Sequence, residues 1–171
     1  GKSTTTALTA HLLRAGLGQK DFKYSNVWLG GNIGNEPLLS VIDQIKPTDI
    51  VVLELSSFQL EHLAQIKKAP HVSLITNLLP NHLDRHGTME AYAALKTLVP
   101  ASVEPGGTAV IDVDDRYTRA AADRIERAGK KVVRVSVLAP LRDGYYAEGS
   151  RILRAIGGKA HAAAQLAGIG S

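Results

Sequence analysis

Apolar residues along this chain change period repeatedly, and each change marks an element. Residues 4–14 carry them at helical spacing and stop at Gly16 and Gly18. Residues 27–29 predict a short strand, followed by the turn-forming Gly30-Gly31-Asn32-Ile33-Gly34, and residues 37–45 predict a helix. The run Ile50-Val51-Val52-Leu53-Glu54-Leu55 predicts a buried strand, after which Ser56-Ser57 can cap a helix over residues 58–66. Strand and helix signals then alternate: strand 72–76, helix 88–99, strand 108–112, helix 117–128 and strand 132–137. This rhythm is that of an α/β fold, a doubly wound and mostly parallel sheet covered by helices. Beyond Pro140 it changes, because residues 145–148 and 152–153 flank Gly149-Ser150 as a small β-hairpin, and the Ala-rich stretch 160–167 is helical by propensity.

Composition narrows the class. The 171 residues are 44% hydrophobic and 21% charged, with no cysteine and a formal net charge of +4. Such a length fits one domain, at about 150 residues each, with a core that needs no disulfides. The absence of cysteine excludes a disulfide scaffold and a Cys-ligated metal. No apolar run approaches the roughly 20 residues of a membrane-spanning helix. The polar opening Gly1-Lys2-Ser3-Thr4-Thr5-Thr6 is unlike a secretory signal, so a cytoplasmic location is expected. Lys and Arg are spread along the chain and aromatics are sparse, which points to phosphate-bearing ligands and not to nucleic acid. The chain opens inside a motif and stops just after its last predicted helix, as a fragment would.

Five places carry candidate chemistry. Gly1-Lys2-Ser3-Thr4 at a helix start matches the end of the phosphate-binding loop G-x-x-x-x-G-K-[ST], in which backbone N–H groups hold phosphate oxygens, Lys2 neutralises charge and Ser3 ligates magnesium. A polar helix start capped by Ser3 or Thr4 explains the same residues. Glu54 stands near the end of a strand that reads as buried, where an unpaired carboxylate costs several kcal/mol; a magnesium ion, a lysine or a helix cap would each compensate it. Asn77, Asn81, His82, Asp84, Arg85 and His86 crowd the loop after the 72–76 strand, a set able to bind a metal, shuttle a proton or hold phosphate. Lys96 falls at about 100° per residue between Met89 and Tyr92, inside the apolar arc completed by Leu95 and Val99. It either snorkels to the rim or sits desolvated as a neutral, nucleophilic amine. The glycine cluster at 30–34 is either an anion-binding turn or a tight loop.

Together these segments resemble the Mur ligase family. Gly-Lys-Ser-Thr-Thr-Thr at 1–6, Gly-Gly-Asn-Ile-Gly at 30–34, Leu-Glu-Leu-Ser-Ser-Phe-Gln-Leu-Glu at 53–61 and Asn-His-Leu-Asp-Arg-His-Gly-Thr-Met-Glu-Ala-Tyr at 81–92, with Lys96 after them, follow that family's order over residues 1–138. The segments at 31–34 and 54–59 are similar to those of the member that adds D-glutamate to UDP-N-acetylmuramoyl-L-alanine. The resemblance implies a three-domain, cytoplasmic, monomeric enzyme of peptidoglycan synthesis, in which residues 1–171 form the central domain binding ATP and magnesium. The UDP-binding and D-glutamate-bringing domains would lie outside this chain, leaving it inactive alone. It further implies that Gly1, Lys2, Ser3 and Thr4 hold the ATP phosphates and that Ser3 and Glu54 share one magnesium. His82 and a carbamylated Lys96 would serve a second magnesium, and Asn32 and Ser56 would face the nucleotide-sugar substrate. Lys2, His82 and Lys96 would be the catalytic residues, in a reaction that passes through an acyl phosphate.

Three other readings remain: a folylpolyglutamate-type ligase, against which the 54–59 segment speaks, a P-loop phosphotransferase or nucleotide-binding module, and a basic nucleic-acid-binding protein, neither of the last two giving a reason to place Lys96 in an apolar arc. The family also carries His-Asn-x-x-Asn, with amides that contact adenine, in a late helix. The stretch matched to it here is His161-Ala162-Ala163-Ala164-Gln165, which keeps an amide at Gln165 and lacks one at Ala162.

Overall fold

The computed structural model describes residues 1–34, 37–66 and 69–166. The chain divides into two compact units, Gly1–Gln59 and Leu60–Ser171. In the first, helix α1 (Lys2–Ala15) packs on two parallel strands, β1 (Val27–Gly31) and β2 (Ile50–Glu54), which pair in register from Val27 with Ile50 to Gly31 with Glu54. Helix α2 (Ser57–Ile66) spans the division between the units. The second unit contains β3 (Val72–Ile75), the single turn α3 (Leu83–His86), α4 (Met89–Lys96) and α5 (Leu98–Ser102), followed by β4 (Thr108–Asp112), α6 (Arg116–Arg127) and β5 (Lys131–Ser136). Strands β6 (Gly144–Glu148), β7 (Arg151–Ile156) and β8 (Lys159–Gln165) complete it. Its sheet runs in the order β3-β4-β5-β6-β7-β8, parallel as far as β6 and antiparallel from there.

The expected α/β class and mostly parallel sheet are therefore present, with the strands distributed over a two-stranded and a six-stranded sheet. Helix α6 shows how pattern becomes packing. Its buried residues Thr118, Ala121, Ala122 and Ile125 follow helical spacing, and Ala122 and Ile125 close over Ala109, Ile111 and Val113 of β4 and its exit. Asp115 caps it, accepting from the backbone N–H groups of Tyr117 and Thr118 at 2.9 Å.

Four local expectations are corrected. The 37–45 helix is a 3-10 helix over Leu38–Gln44, entered through an extended Pro37. The 88–99 helix is two helices broken at Thr97, because Pro100 has no N–H to give the carbonyl of Lys96 and the chain cannot continue α4. Strand β2 is not buried on both faces: Val51 and Leu53 are 37% and 49% exposed, while Glu54 is 2% exposed. The helix expected over 160–167 is strand β8 as far as Gln165, and Ala167 lies outside the described residues. Gly157 and Gly158, both at positive φ, turn the chain back so that β8 pairs with β7, and ladder hydrogen bonds outweigh the helix propensity of alanine. The match of His161 to Gln165 with a late helix therefore fails.

Candidate active site

In the first unit, α1 begins at Lys2 with Gly1 as its N-cap, and no side chain among the described residues caps it. The N–H groups of its first turn have no acceptor within the helix, so with the positive end of the helix dipole and the Lys2 ammonium they form a donor set for an oxyanion. Thr5, Thr6 and Thr9 turn their hydroxyls onto the carbonyls of Gly1, Lys2 and Thr5, at 3.2, 2.9 and 2.8 Å. At the other end of α1, Arg14 donates to the Val27 carbonyl at 3.2 Å. That bond sets the end of α1 against the start of β1. Helix and strands therefore run in opposite directions, and Lys2 and Ser3 lie toward the strand ends that carry Gly31 and Glu54.

Glu54 is the buried acid at that end. Its Oε1 accepts from Asn32 Nδ2 at 3.1 Å, and the Asn32 backbone N–H donates to the Glu54 carbonyl at 2.8 Å. Its Oε2 is buried and has no hydrogen-bond partner among the described residues. A carboxylate oxygen left in this state costs several kcal/mol unless something neutralises it. Among the described residues no side-chain cation bonds it, whereas a hard divalent cation such as magnesium suits both the oxygen and its position at the strand ends. The residues present thus fit the metal inferred from sequence. The approach of β1 to Glu54 depends on Gly31, at φ +89°, where a Cβ would stand 2.2 Å from the Glu54 carbonyl oxygen.

Ser56 caps the helix that follows it, as its place before the 58–66 segment predicts. Its backbone N–H donates to Gln59 Oε1 at 2.8 Å, and the Gln59 N–H donates to Ser56 Oγ at 3.3 Å. This reciprocal cap opens α2 and leaves the Ser56 hydroxyl proton for a further acceptor. The Ser-x-x-Gln spacing at 56–59 was a readable signal for it, and sequence reasoning passed over Gln59.

The second unit holds the remaining predicted residues. His82 is exposed and caps α3 from a left-handed backbone, φ 53° and ψ 33°, a conformation that costs a non-glycine residue on the order of 1 kcal/mol. Its carbonyl accepts from the N–H groups of Arg85 and His86, at 3.1 and 3.0 Å. Arg85 forks onto Glu61 of α2, with Nη2 2.8 Å from Oε2 and Nε 3.4 Å from Oε1. The guanidinium holds the Glu61 carboxyl below the usual glutamate range. The His86 side chain is 7% exposed, its ring centre 5.3 Å from that of Tyr92 and its Nδ1 3.8 Å from Glu61 Oε1. Lys96 is half-buried, with Nζ 5.5 Å from the centre of the Tyr92 ring. Between the two outcomes foreseen for it, the ammonium lies along an aromatic face. Asn77, Asn81 and Asp84 are exposed. Sequence reasoning placed Arg85 and His86 in a polar loop and did not connect them with Glu61 or Tyr92.

The structure thus joins Asn32 with Glu54 in one unit, and links the His82 turn with Lys96 through Tyr92 in the other. Among the described residues no three His, Asp or Glu side chains gather into a metal-holding group. Magnesium sites of phosphoryl-transfer enzymes characteristically rely on one or two carboxylates, with water and substrate phosphates completing the shell.

Among known proteins, the chain is 49% identical over 172 residues to the UDP-N-acetylmuramoylalanine–D-glutamate ligase of Nitrobacter hamburgensis. It is 46% identical to that of Rhodopseudomonas palustris and 45% identical to that of a Chelativorans species. Each alignment takes in 100% of this chain and 34% of the relative, so the chain spans about a third of the relatives' length. A crystal structure of MurF from Acinetobacter baumannii superposes with a TM-score of 0.65 at 15% identity, over 95% of this chain and 35% of that one, a likeness of fold. The description of the Mur ligase middle domain matches residues 1–168. With that match, the chain belongs to the Mur ligase middle domain family.

Proposed function

We propose that this chain is the ATP-binding middle domain of a ligase that joins D-glutamate to UDP-N-acetylmuramoyl-L-alanine. The observation that carries the reading is Glu54, a buried carboxylate with one oxygen bonded to Asn32 and the other without a partner among the described residues, at the strand ends toward which α1 points its first turn. Relatives 45–49% identical across the whole chain bear the ligase name, which supports the choice of substrates.

The reaction is the one the family resemblance implies, and the donor sets suit it. The substrate carboxylate oxygen attacks the γ-phosphorus of ATP, the bond to the bridging oxygen breaks, and ADP leaves. The amine of D-glutamate then attacks the acyl-phosphate carbon, loses its proton and expels inorganic phosphate as the amide forms. The first-turn N–H groups and Lys2 hold the phosphate oxygens and offset the charge that gathers on them. Glu54 and Ser3 hold magnesium, which when bound neutralises phosphoryl charge. His82 and a carbamylated Lys96 hold a second magnesium, and Asn32 and Ser56 meet the nucleotide-sugar. The enzyme acts in the cytoplasm as a monomer.

The test is amide formation by the intact protein, given ATP, magnesium, UDP-N-acetylmuramoyl-L-alanine and D-glutamate. Stoichiometric ADP and amide are expected, with a loss of about 100-fold or more in Glu54→Gln. ATP turnover without amide, or equal use of a folate acceptor, would overturn the reading.

A further inference from the structure

We infer that Glu61 is a positioning residue that holds both His82 and Lys96 in place through one connected anchor. The inference rests on the reading that these two residues serve the reaction, and it adds a role for Glu61, Arg85, His86 and Tyr92.

The argument begins with a segment that should not hold its shape alone. Helix α3 is only four residues long, bounded by His82 at φ 53° and Gly87 at φ 76°. A single helical turn is too short to be stable by itself, and a left-handed histidine at its head adds to the cost. What fixes it must come from side chains. Arg85 and His86 supply this, and they are the two residues whose N–H groups bond the His82 carbonyl. Arg85 is clamped through Nε and Nη2 to the Glu61 carboxylate. The His86 ring is buried against Tyr92, with Nδ1 turned toward the same carboxylate. Glu61 therefore ties the turn to α2 at one point, and the His86 ring ties it to α4 at another.

Tyr92 extends the anchor. One ring meets His86 at 5.3 Å and the Lys96 ammonium at 5.5 Å, so a shift of the His86 ring is a shift of the surface on which Lys96 rests. One carboxylate thus governs the backbone of one proposed magnesium ligand and the aromatic support of the other. A purely structural ion pair would not need this arrangement. Arg85 is 52% exposed and Glu61 33% exposed, and exposed pairs contribute little to stability. Geometry is another matter, since a displacement of about 1 Å in a catalytic group can cost about 100-fold in rate.

The experiment uses the intact protein with Glu61→Gln, which keeps shape and loses charge, and Glu61→Asp, which keeps charge. Ligation kinetics, amide hydrogen exchange over residues 82–87 and thermal unfolding are measured on each. Glu61→Gln is expected to lower kcat by about 10-fold to 100-fold with the KM for ATP within about twofold, and to raise the magnesium concentration needed for half-maximal rate. Faster exchange at the Arg85 and His86 amides should accompany this while the melting temperature barely moves, and Glu61→Asp should restore part of kcat. Arg85→Ala added to Glu61→Gln should cost little more, as expected for members of one anchor. If His82→Ala and Lys96→Ala are inactive while Glu61→Gln keeps full kcat or unchanged exchange, the anchor is refuted and the function stands. If His82→Ala and Lys96→Ala are fully active, the proposed function fails and the anchor loses its catalytic purpose.

Discussion

Asn32 grips Glu54 twice, by its backbone N–H at the carbonyl and by its side-chain amide at the carboxylate. The double contact fixes the rotamer of an acid whose second oxygen has no partner among the described residues.

Removing either side of this pair has opposite consequences. Asn32→Ala leaves the whole buried carboxylate without a donor and should destabilise the protein by about 2 kcal/mol. Glu54→Gln removes a buried, half-satisfied charge and should be neutral or stabilising without ligands, while magnesium-dependent ATP binding falls at least about tenfold. Urea unfolding and calorimetric titration with ATP, each with and without magnesium, read both effects.

Gly31→Ala should be among the most damaging single changes. The new methyl group would overlap the Glu54 carbonyl oxygen, 2.2 Å away, on a backbone at φ +89°. Loss of about 3 kcal/mol or more is expected, with β1 and β2 forced apart at their functional end. Chemical denaturation provides the number, and a wild-type midpoint would contradict the geometry.

Lys96 separates charge from chemistry. Lys96→Ala should abolish ligation with the fold intact by circular dichroism, and added short carboxylates should restore part of the rate by supplying oxygen ligands. Lys96→Arg keeps a cation over the Tyr92 ring yet cannot take up carbon dioxide, so it should be as inactive as the alanine variant. Full activity in Lys96→Arg would remove the carbamate from the mechanism.

Acid should act on α6 and β5 together. The Arg134 guanidinium bonds Asp123 at 2.5 Å and Glu126 at 2.7 Å and holds the Asp123 carboxyl below its usual 3.8. Because the folded value is depressed, the unfolded chain binds more protons between the two values. The stabilisation is therefore complete above about pH 4 and is lost as pH falls below it. Asp123→Asn should flatten the dependence of the urea midpoint on pH below about 4.

The sequence made the strand–helix alternation legible because each element buries one face, and α6 shows the relation directly in Thr118, Ala121, Ala122 and Ile125. Glu54 was legible for the same reason, as a charge inside an apolar run. Burial on both faces of β2 was not, since a continuous apolar run does not say which face a helix covers, and here Val51 and Leu53 are left exposed. β8 was misread because alanine carries helix propensity, whereas its pairing is decided by the Gly157-Gly158 turn and by β7. The partnership of Glu61 with Arg85 and His86 joins residues 24 or more positions apart, beyond the reach of any local pattern.

The break after Lys96 makes α4 a ruler. Thr88 accepts from the Ala91 N–H at one end and Pro100 forbids extension at the other, so the helix has room for only eight residues, about 12 Å at 1.5 Å each. Inserting or deleting one residue within it would swing Lys96 about 100° around the axis, off the Tyr92 ring and away from the side of His86. Side chains on the outer face of α4 can be exchanged freely by comparison. Its count of residues cannot.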